Sequence, residues 1–270
     1  MGTTMEKRRI GQEIELPRVT FLIAHHNYQE YLGKCIESAL AQTYPNIKIC
    51  IIDDCSNDRQ SVEDIVEKFD KPCSCTEDKN FVINSGWKIV TIYITDHPRG
   101  PSYTRNRGIE HMWNDTDIFA VLDADDENYP TKIEKCVKPF IQYPTEVGVV
   151  YADHFTFNTT TELGRVEYRE PFDVYRLNQE CIVHSGSLIS KLALEHTKEV
   201  AGYYDETMRT CEDYDLWMRI AEKFMIVHIA EPLSFVRVQP KNSTDTVAKQ
   251  IWNANYQRVF QKRQIRQNGL

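Results

Sequence analysis

The chain has 270 residues, of which 41% are hydrophobic, enough for one large domain or two small ones with a sizeable core. Its net charge of −8 and isoelectric point near 5.5 argue against nucleic acid as the main partner, because a phosphate backbone wants a basic face. No apolar run approaches a membrane span, no signal-peptide core precedes residue 16, and the spacing of the eight cysteines suggests no disulfide framework. A cytosolic protein with reduced thiols is expected.

After a polar tail over residues 1–16, a buried strand is predicted over residues 19–24, rich in β-branched, aromatic and aliphatic side chains. Asn27 reads as the N-cap of a helix with Leu32, Ile36, Ala39 and Leu40 on one face. A second strand over 47–52 runs into Asp53 and Asp54, and Val62, Ile65, Val66 and Phe69 mark a second helix. Residues 72–86 read as a polar surface excursion, with Cys73 and Cys75 in a solvated loop rather than a zinc site. A third strand is expected over 88–94, a helix over 102–113, and a fourth strand over 118–122.

The β-α alternation up to residue 122 indicates a mostly parallel sheet with helices on both faces, and such sheets bind ligands at the carboxyl ends of their strands. The second half is less regular. Pro130 fits the N1 position of a helix reaching residue 143. Strands are expected over 147–152 and 225–230, a hairpin or loop over 156–171, an ordered segment from residue 185, and a helix over 211–224. Ala248, Trp252, Tyr256, Val259 and Phe260 form an apolar stripe on a C-terminal helix. That tail (246–270) carries +5 and the rest of the chain −13. The stripe needs a cover. Either it docks on the protein's own acidic body, or it serves peripheral membrane binding or self-association.

Asp123, Asp125 and Asp126 directly follow the fourth strand. Three carboxylates at one strand end repel one another unless a cation sits among them, and hard oxygen ligands suit Mg2+ or Mn2+. No EF-hand glycine or glutamate follows, and no glycine-rich phosphate loop follows the first strand, where Ala24, His25, His26 and Asn27 stand instead. Asp54 at the second strand's end can accept from a ribose hydroxyl or a base N–H. Arg99, Arg105, Asn106 and Arg107 offer donors to a diphosphate. In the helix opened by Glu212, Asp213 and Asp215 cannot both face the crevice, so one faces it and the other pairs elsewhere.

In this order, from Val19 to about Thr244, these segments resemble the inverting glycosyltransferases of family 2, which have the GT-A fold. The motifs are the opening strand with Ala24–Asn27, Asp53-Asp54-Cys55-Ser56, and Gly100 through Arg105-Asn106-Arg107-Gly108. Asp123-Ala124-Asp125-Asp126 with Pro130, Gly202-Tyr203-Tyr204-Asp205-Glu206 and Glu212-Asp213-Tyr214-Asp215-Leu216-Trp217 complete the set. The resemblance implies a metal-assisted transfer of sugar from a nucleotide-sugar, a UDP-sugar above all, to the hydroxyl of a glycan or lipid-linked acceptor; the alternatives are a nucleotidyltransferase-like enzyme or a catalytically silent nucleotide-sugar-binding module. It implies Asp213 as general base and Mn2+ or Mg2+ on Asp125 and Asp123. Ala24, His26, Asn27, Asp54, Arg105 and Asp123 would bind the donor, and His184, Glu212 and Trp217 the acceptor. Residues 17–126 would form the donor half and 127–245 the acceptor half of one domain. Two departures stand out: Ala24-His25-His26-Asn27 replaces the usual Pro-Thr/Ser-Tyr-Asn, and Gln239 stands where the family's Arg-x-His places its histidine.

Overall fold

The computed structural model describes residues 15–69, 73–76, 88–240 and 247–269. The tail over 1–14 and most of the 72–86 excursion lie outside the described residues. The described elements are β1 (Val19–His25), α1 (Gln29–Leu40), β2 (Ile47–Asp54), α2 (Arg59–Glu67), β3 (Cys73–Thr76), β4 (Ile89–Ile94) and α3 (Pro101–Met112). They continue with β5 (Ile118–Val121), β6 (Glu127–Asn128), α4 (Lys132–Cys136), α5 (Lys138–Gln142), β7 (Val147–Asn158) and β8 (Leu163–Glu167). The last are α6 (Val174–Leu177), β9 (Leu188–Ser190), α7 (Lys191–Ala201), α8 (Glu212–Ile220), β10 (Met225–Val238) and α9 (Lys249–Gln267).

One sheet runs through the molecule in the order β3-β4-β2-β1-β5-β9-β7-β10-β6, with β8 paired to β7. Strands β3 to β5 are parallel, β9 is antiparallel to both of its neighbours, and β7 and β10 are parallel again. The continuous apolar strands are explained by burial on both faces. Along β1, Phe21 and Ile23 enter one core with Leu32 and Ile36 of α1 and Val62 and Val66 of α2. Leu22 enters the other, with Ile109 of α3, Trp217 of α8 and Val259 of α9. Chain order β1-β2-β4 runs outward one way, and β5 then returns to the other side of β1. This switch point lies at the carboxyl ends of β1, β2 and β5, where His25 pairs with Asp53 across the ladder.

Several expectations are corrected. Asn27 is not the N-cap of α1. Tyr28 is, while Asn27 sits at φ 57° in the left-handed region. Cys73 to Thr76 form a parallel edge strand on β4, not a loop. The helix expected from Pro130 is two short helices, and Pro130 precedes the N-cap Thr131. Pro139 opens the second helix, because it has no N–H to give to the turn before it. β10 is far longer than six residues. It stays paired to β7 past a register shift at Pro232, where proline is tolerated because the ladder is already broken.

The apolar stripe of α9 docks on the protein's own body. Val259 is fully buried, and Trp252, Tyr256 and Phe260 pack against the α8 core, with Tyr214 meeting both Tyr256 and Phe260. The helix's charge is answered locally: Lys262 reaches Asp205 (3.0 Å) and Asp215 (2.7 Å), and Arg266 reaches Glu222 (2.9 Å). The stripe is therefore not available as a membrane face. Among the described residues, no helix is long and apolar enough to cross a membrane.

Candidate active site

The carboxylates at the strand ends are held, each in a different way. Asp54 closes β2 and is buried. Its Oδ1 accepts from the Arg99 N–H (2.8 Å) and its Oδ2 from the Gly100 N–H (2.7 Å). This pins the loop that opens α3. Gly100 has φ 90°, a conformation open to glycine, and Pro101 follows as the first helical residue. Asp54 thus shapes the loop through backbone amides, rather than presenting a bare carboxylate to a base or ribose. Asp53 accepts from Ser56 Oγ (2.6 Å) and pairs with His25 Nδ1 (2.8 Å), so its proton affinity falls despite burial. His26 bonds the Asp54 carbonyl through Nδ1 (2.7 Å) and touches the Asn27 amide through Nε2 (2.9 Å). Asn27 in turn accepts from the Asn57 N–H (2.8 Å). The turns after β1 and β2 are therefore laced together beside half-buried Ala24.

Arg105, on the middle of α3, is the hinge pin of the site. It is 5% exposed and donates to Asp123 Oδ1 (2.8 Å) and to Glu212 Oε1 (2.9 Å). One buried guanidinium thereby joins the end of β5 to the start of α8. Two flanking carboxylates raise its proton affinity further, against the opposing effect of burial. The neighbouring donors are committed elsewhere: Asn106 to the Tyr204 backbone (2.9 Å), and Arg107 to Glu110 (2.8 Å). Arg107 is thus not a ready diphosphate ligand.

Asp125 accepts from Gln239 Nε2 (2.9 Å), so the residue that departs from the family pattern caps the carboxylate it would assist. Burial, and then the Asp123 charge, push Asp125 up to about 6. Asp126 is buried and accepts from the Arg237 N–H (2.8 Å); burial and its two acidic neighbours push it well above the usual carboxylate range. Among the described residues, no three His, Cys, Asp or Glu side chains converge on one point. The donor set nonetheless fits a hard cation. Two carboxylates that repel one another would be relieved by it, and Mg2+ is commonly bound by one or two carboxylates plus substrate phosphates and water.

The helix that bears Asp213 begins under strain. Cys211, its N-cap, has φ 58°, and Asn27 and Cys55 have similar values. Three of the four described non-glycine residues at positive φ therefore flank the strand-end turns and the entry to α8. Asp213 lines a cleft of about 440 Å3 together with His154, Arg169, Val183, His184 and Ser185. Burial and the Glu212 charge push Asp213 up to about 7. Asp215 faces away and is fully buried, paired with Arg219 (3.1 Å) and Lys262 (2.7 Å). The two aspartates thus divide as helix geometry requires. His184 stacks on His154 with centroids 4.3 Å apart, and burial holds both imidazoles neutral, His154 down to about 4. Trp217 is corrected. It is 0% exposed within the core under the sheet and cannot meet an acceptor. Glu212 is buried and committed to Arg105. Sequence reasoning missed the cleft wall supplied by β7, β8 and Arg169, which has no motif.

A switch-point sheet with carboxylates at its strand ends and a further carboxylate on a separate helix is the architecture of the GT-A fold. Solved structures share that fold. One is Staphylococcus aureus TarS 1–349 in complex with UDP-GlcNAc, at TM-score 0.64 and 12% identity, matching 86% of this chain and 61% of that one. Another is the mannosyltransferase PcManGT from Pyrobaculum calidifontis in complex with GDP-Man and Mn2+, at TM-score 0.56 and 16% identity, matching 82% of this chain and 57% of that one. The chain belongs to glycosyl transferase family 2, whose profile matches residues 20–197. It is 27% identical to an uncharacterized glycosyltransferase of Rickettsia felis over 90% of this chain and 37% of that protein. It is 23% identical to a chondroitin synthase of Escherichia coli over 90% of this chain and 32% of that protein. This chain spans well under two thirds of both relatives, and 70% of a similar Rickettsia prowazekii glycosyltransferase.

Proposed function

We propose that the protein transfers a sugar from a nucleotide-sugar, a UDP-sugar above all, to a hydroxyl of a glycan or lipid-linked glycan, with inversion at the anomeric carbon. The observation that carries this reading is Asp213. It is a carboxyl on the wall of a cleft, with its proton affinity raised to about 7, on the helix tied through Glu212 and Arg105 to Asp123. A base with that affinity is ionised in a large fraction of molecules near neutral pH, yet basic enough to take a hydroxyl proton. Asp213 would accept the acceptor's proton as that oxygen attacks, and a single displacement would invert the centre. The turns of Ala24, His26 and Asn27, with the loop held by Asp54, would seat the nucleoside.

Asp125 and Asp123 would hold Mn2+ or Mg2+. Bound there, the ion would supply charge stabilisation for the departing diphosphate. Arg105 would keep Asp123 oriented, and Gln239 would do the same for Asp125. The bound nucleotides and Mn2+ of the fold neighbours support this arrangement for donors of this class. The test is Asp213→Asn assayed with a panel of UDP-sugars. UDP affinity should persist, while transfer falls by about 10²-fold or more, the usual scale for a general base. Near-normal transfer by the variant would reassign the base.

A further inference from the structure

The cleft beside Asp213 contains a cation that no described residue answers. Arg169 follows β8 and lines the cleft with His154 and His184. Its backbone N–H donates to Asp153 (2.8 Å), which fixes the chain where the side chain departs. Among the described residues its guanidinium forms no hydrogen bond or ion pair, and its Nε is buried. Arg176, Arg219 and Arg237 of this half face Glu170, Asp215 and Glu127, and Arg209 is exposed to solvent. Glu167, the acid nearest in sequence on the cleft wall, is already paired with Arg165 (2.5 Å). Asp213 is the other acid on the wall. The guanidinium charge that acts on it is that of Arg105, on the far side of Glu212. His154 and His184 are neutral, and Arg169 helps to keep them so.

A partly buried guanidinium without a partner is costly, and its planar fork matches a carboxylate or phosphate with two parallel hydrogen bonds. Next to it, Tyr168 is 79% exposed and also lines the cleft, an aromatic face of the kind on which a sugar ring can lie. We propose that the acceptor is a sugar bearing an oxyanion, a uronate carboxylate or a phosphate, and that Arg169 clamps the oxyanion while the ring lies against Tyr168. The neutral imidazoles of His154 and His184 then meet sugar hydroxyls without adding charge. This rests on the cleft being the acceptor side of a glycosyltransferase.

The test uses the full chain with UDP and Mn2+ present. The imidazole NMR signals of His154 and His184 are followed while methyl β-D-glucuronide, glucose 6-phosphate or methyl β-D-glucoside is titrated in. At least one anionic probe should bind about 10-fold tighter than the neutral glucoside, the scale of one charge-assisted pair. Preference for the glucuronide alone assigns a uronate, and preference for the phosphate alone assigns a phosphosugar. Arg169→Gln should erase the preference with UDP affinity unchanged, and Arg169→Lys should restore part of it. Equal binding of all three probes, no shift with either anionic probe, or a preference that survives in Arg169→Gln would overturn the proposal. UDP affinity is measured separately. A wild-type protein that never binds UDP counts against the donor reading, while the anion preference is still read from the three sugars.

Discussion

The two walls of the proposed active site, a donor wall at the strand ends and an acceptor wall at the Asp213 cleft, are built on different principles. On the donor wall three carboxylates are already matched, Asp53 by His25, Asp54 by two backbone amides and Asp123 by Arg105, while Asp125 and Asp126 await a cation's charge. On the acceptor wall Arg169 and His154 Nδ1 lack partners among the described residues, and Asp213 accepts only from the Tyr214 N–H (2.7 Å). The contrast teaches where each kind of recognition sits. A prearranged wall costs no reorganisation when a donor arrives. A wall with unmatched groups takes its partners from the substrate, and so discriminates against a substrate that lacks them.

The sharpest way to break the contrast is to unmatch the donor wall. Arg105→Ala leaves Asp123 and Glu212 facing each other without their shared cation. Removing one partner of a buried pair costs about 3–5 kcal/mol, so urea unfolding should show a loss of that order. An unchanged midpoint would mean that the bridge is incidental. Next, Asp125→Ala should lower Mn2+-dependent UDP affinity by about 10–100-fold, at least the scale of losing an outer metal partner. Equal UDP affinity in EDTA and in Mn2+ for the wild type would remove the metal from the account.

A third measurement matches the acceptor wall instead. The Asp213 affinity is raised from 3.8 to about 7 in the fold, so ionising it costs folding stability. That stability is fully present below about pH 4 and is lost as pH rises through 7. Asp213→Asn should therefore be the more stable protein at pH 8, by on the order of 1–2 kcal/mol, and lose that advantage near pH 4. The wild-type transfer rate should rise through the same pH near 7. A flat profile would detach the base from this carboxyl. The smallest effect is expected behind α8. Lys262→Met removes one of two cations from Asp215, and with Arg219 still in place the thermal loss should be near 1 kcal/mol.

The parallel half was legible because its central strands are unbroken apolar runs and its helices keep one face apolar, so periodicity alone places β1, β2, β4 and β5. The strand-end aspartates were legible because three carboxylates in a row demand an explanation. What stayed hidden depends on long-range contact. Nothing local shows that Arg105 will meet Glu212, or that Gln239 will cap Asp125. Trp217 sits in a motif, which suggested a substrate contact, but helical spacing from Tyr214 and Ile220 turns it into the core. Cys73 to Thr76 is short and carries polar residues, too weak a pattern to announce an edge strand. Arg169 lies in an irregular stretch, and only the folded cleft gives it meaning.

The docking of α9 also sets an order of assembly. Until residues 249–267 have left the ribosome, Asp215 has Arg219 alone, and the ring of Tyr214 lacks both Tyr256 and Phe260. Domains generally form as their chain emerges, N-terminal parts first. The strand-end wall can therefore close before the helix bearing Asp213 receives its backing from residues 249–267. On the proposed reading, the seat for the nucleoside forms before the helix of the proposed base is backed.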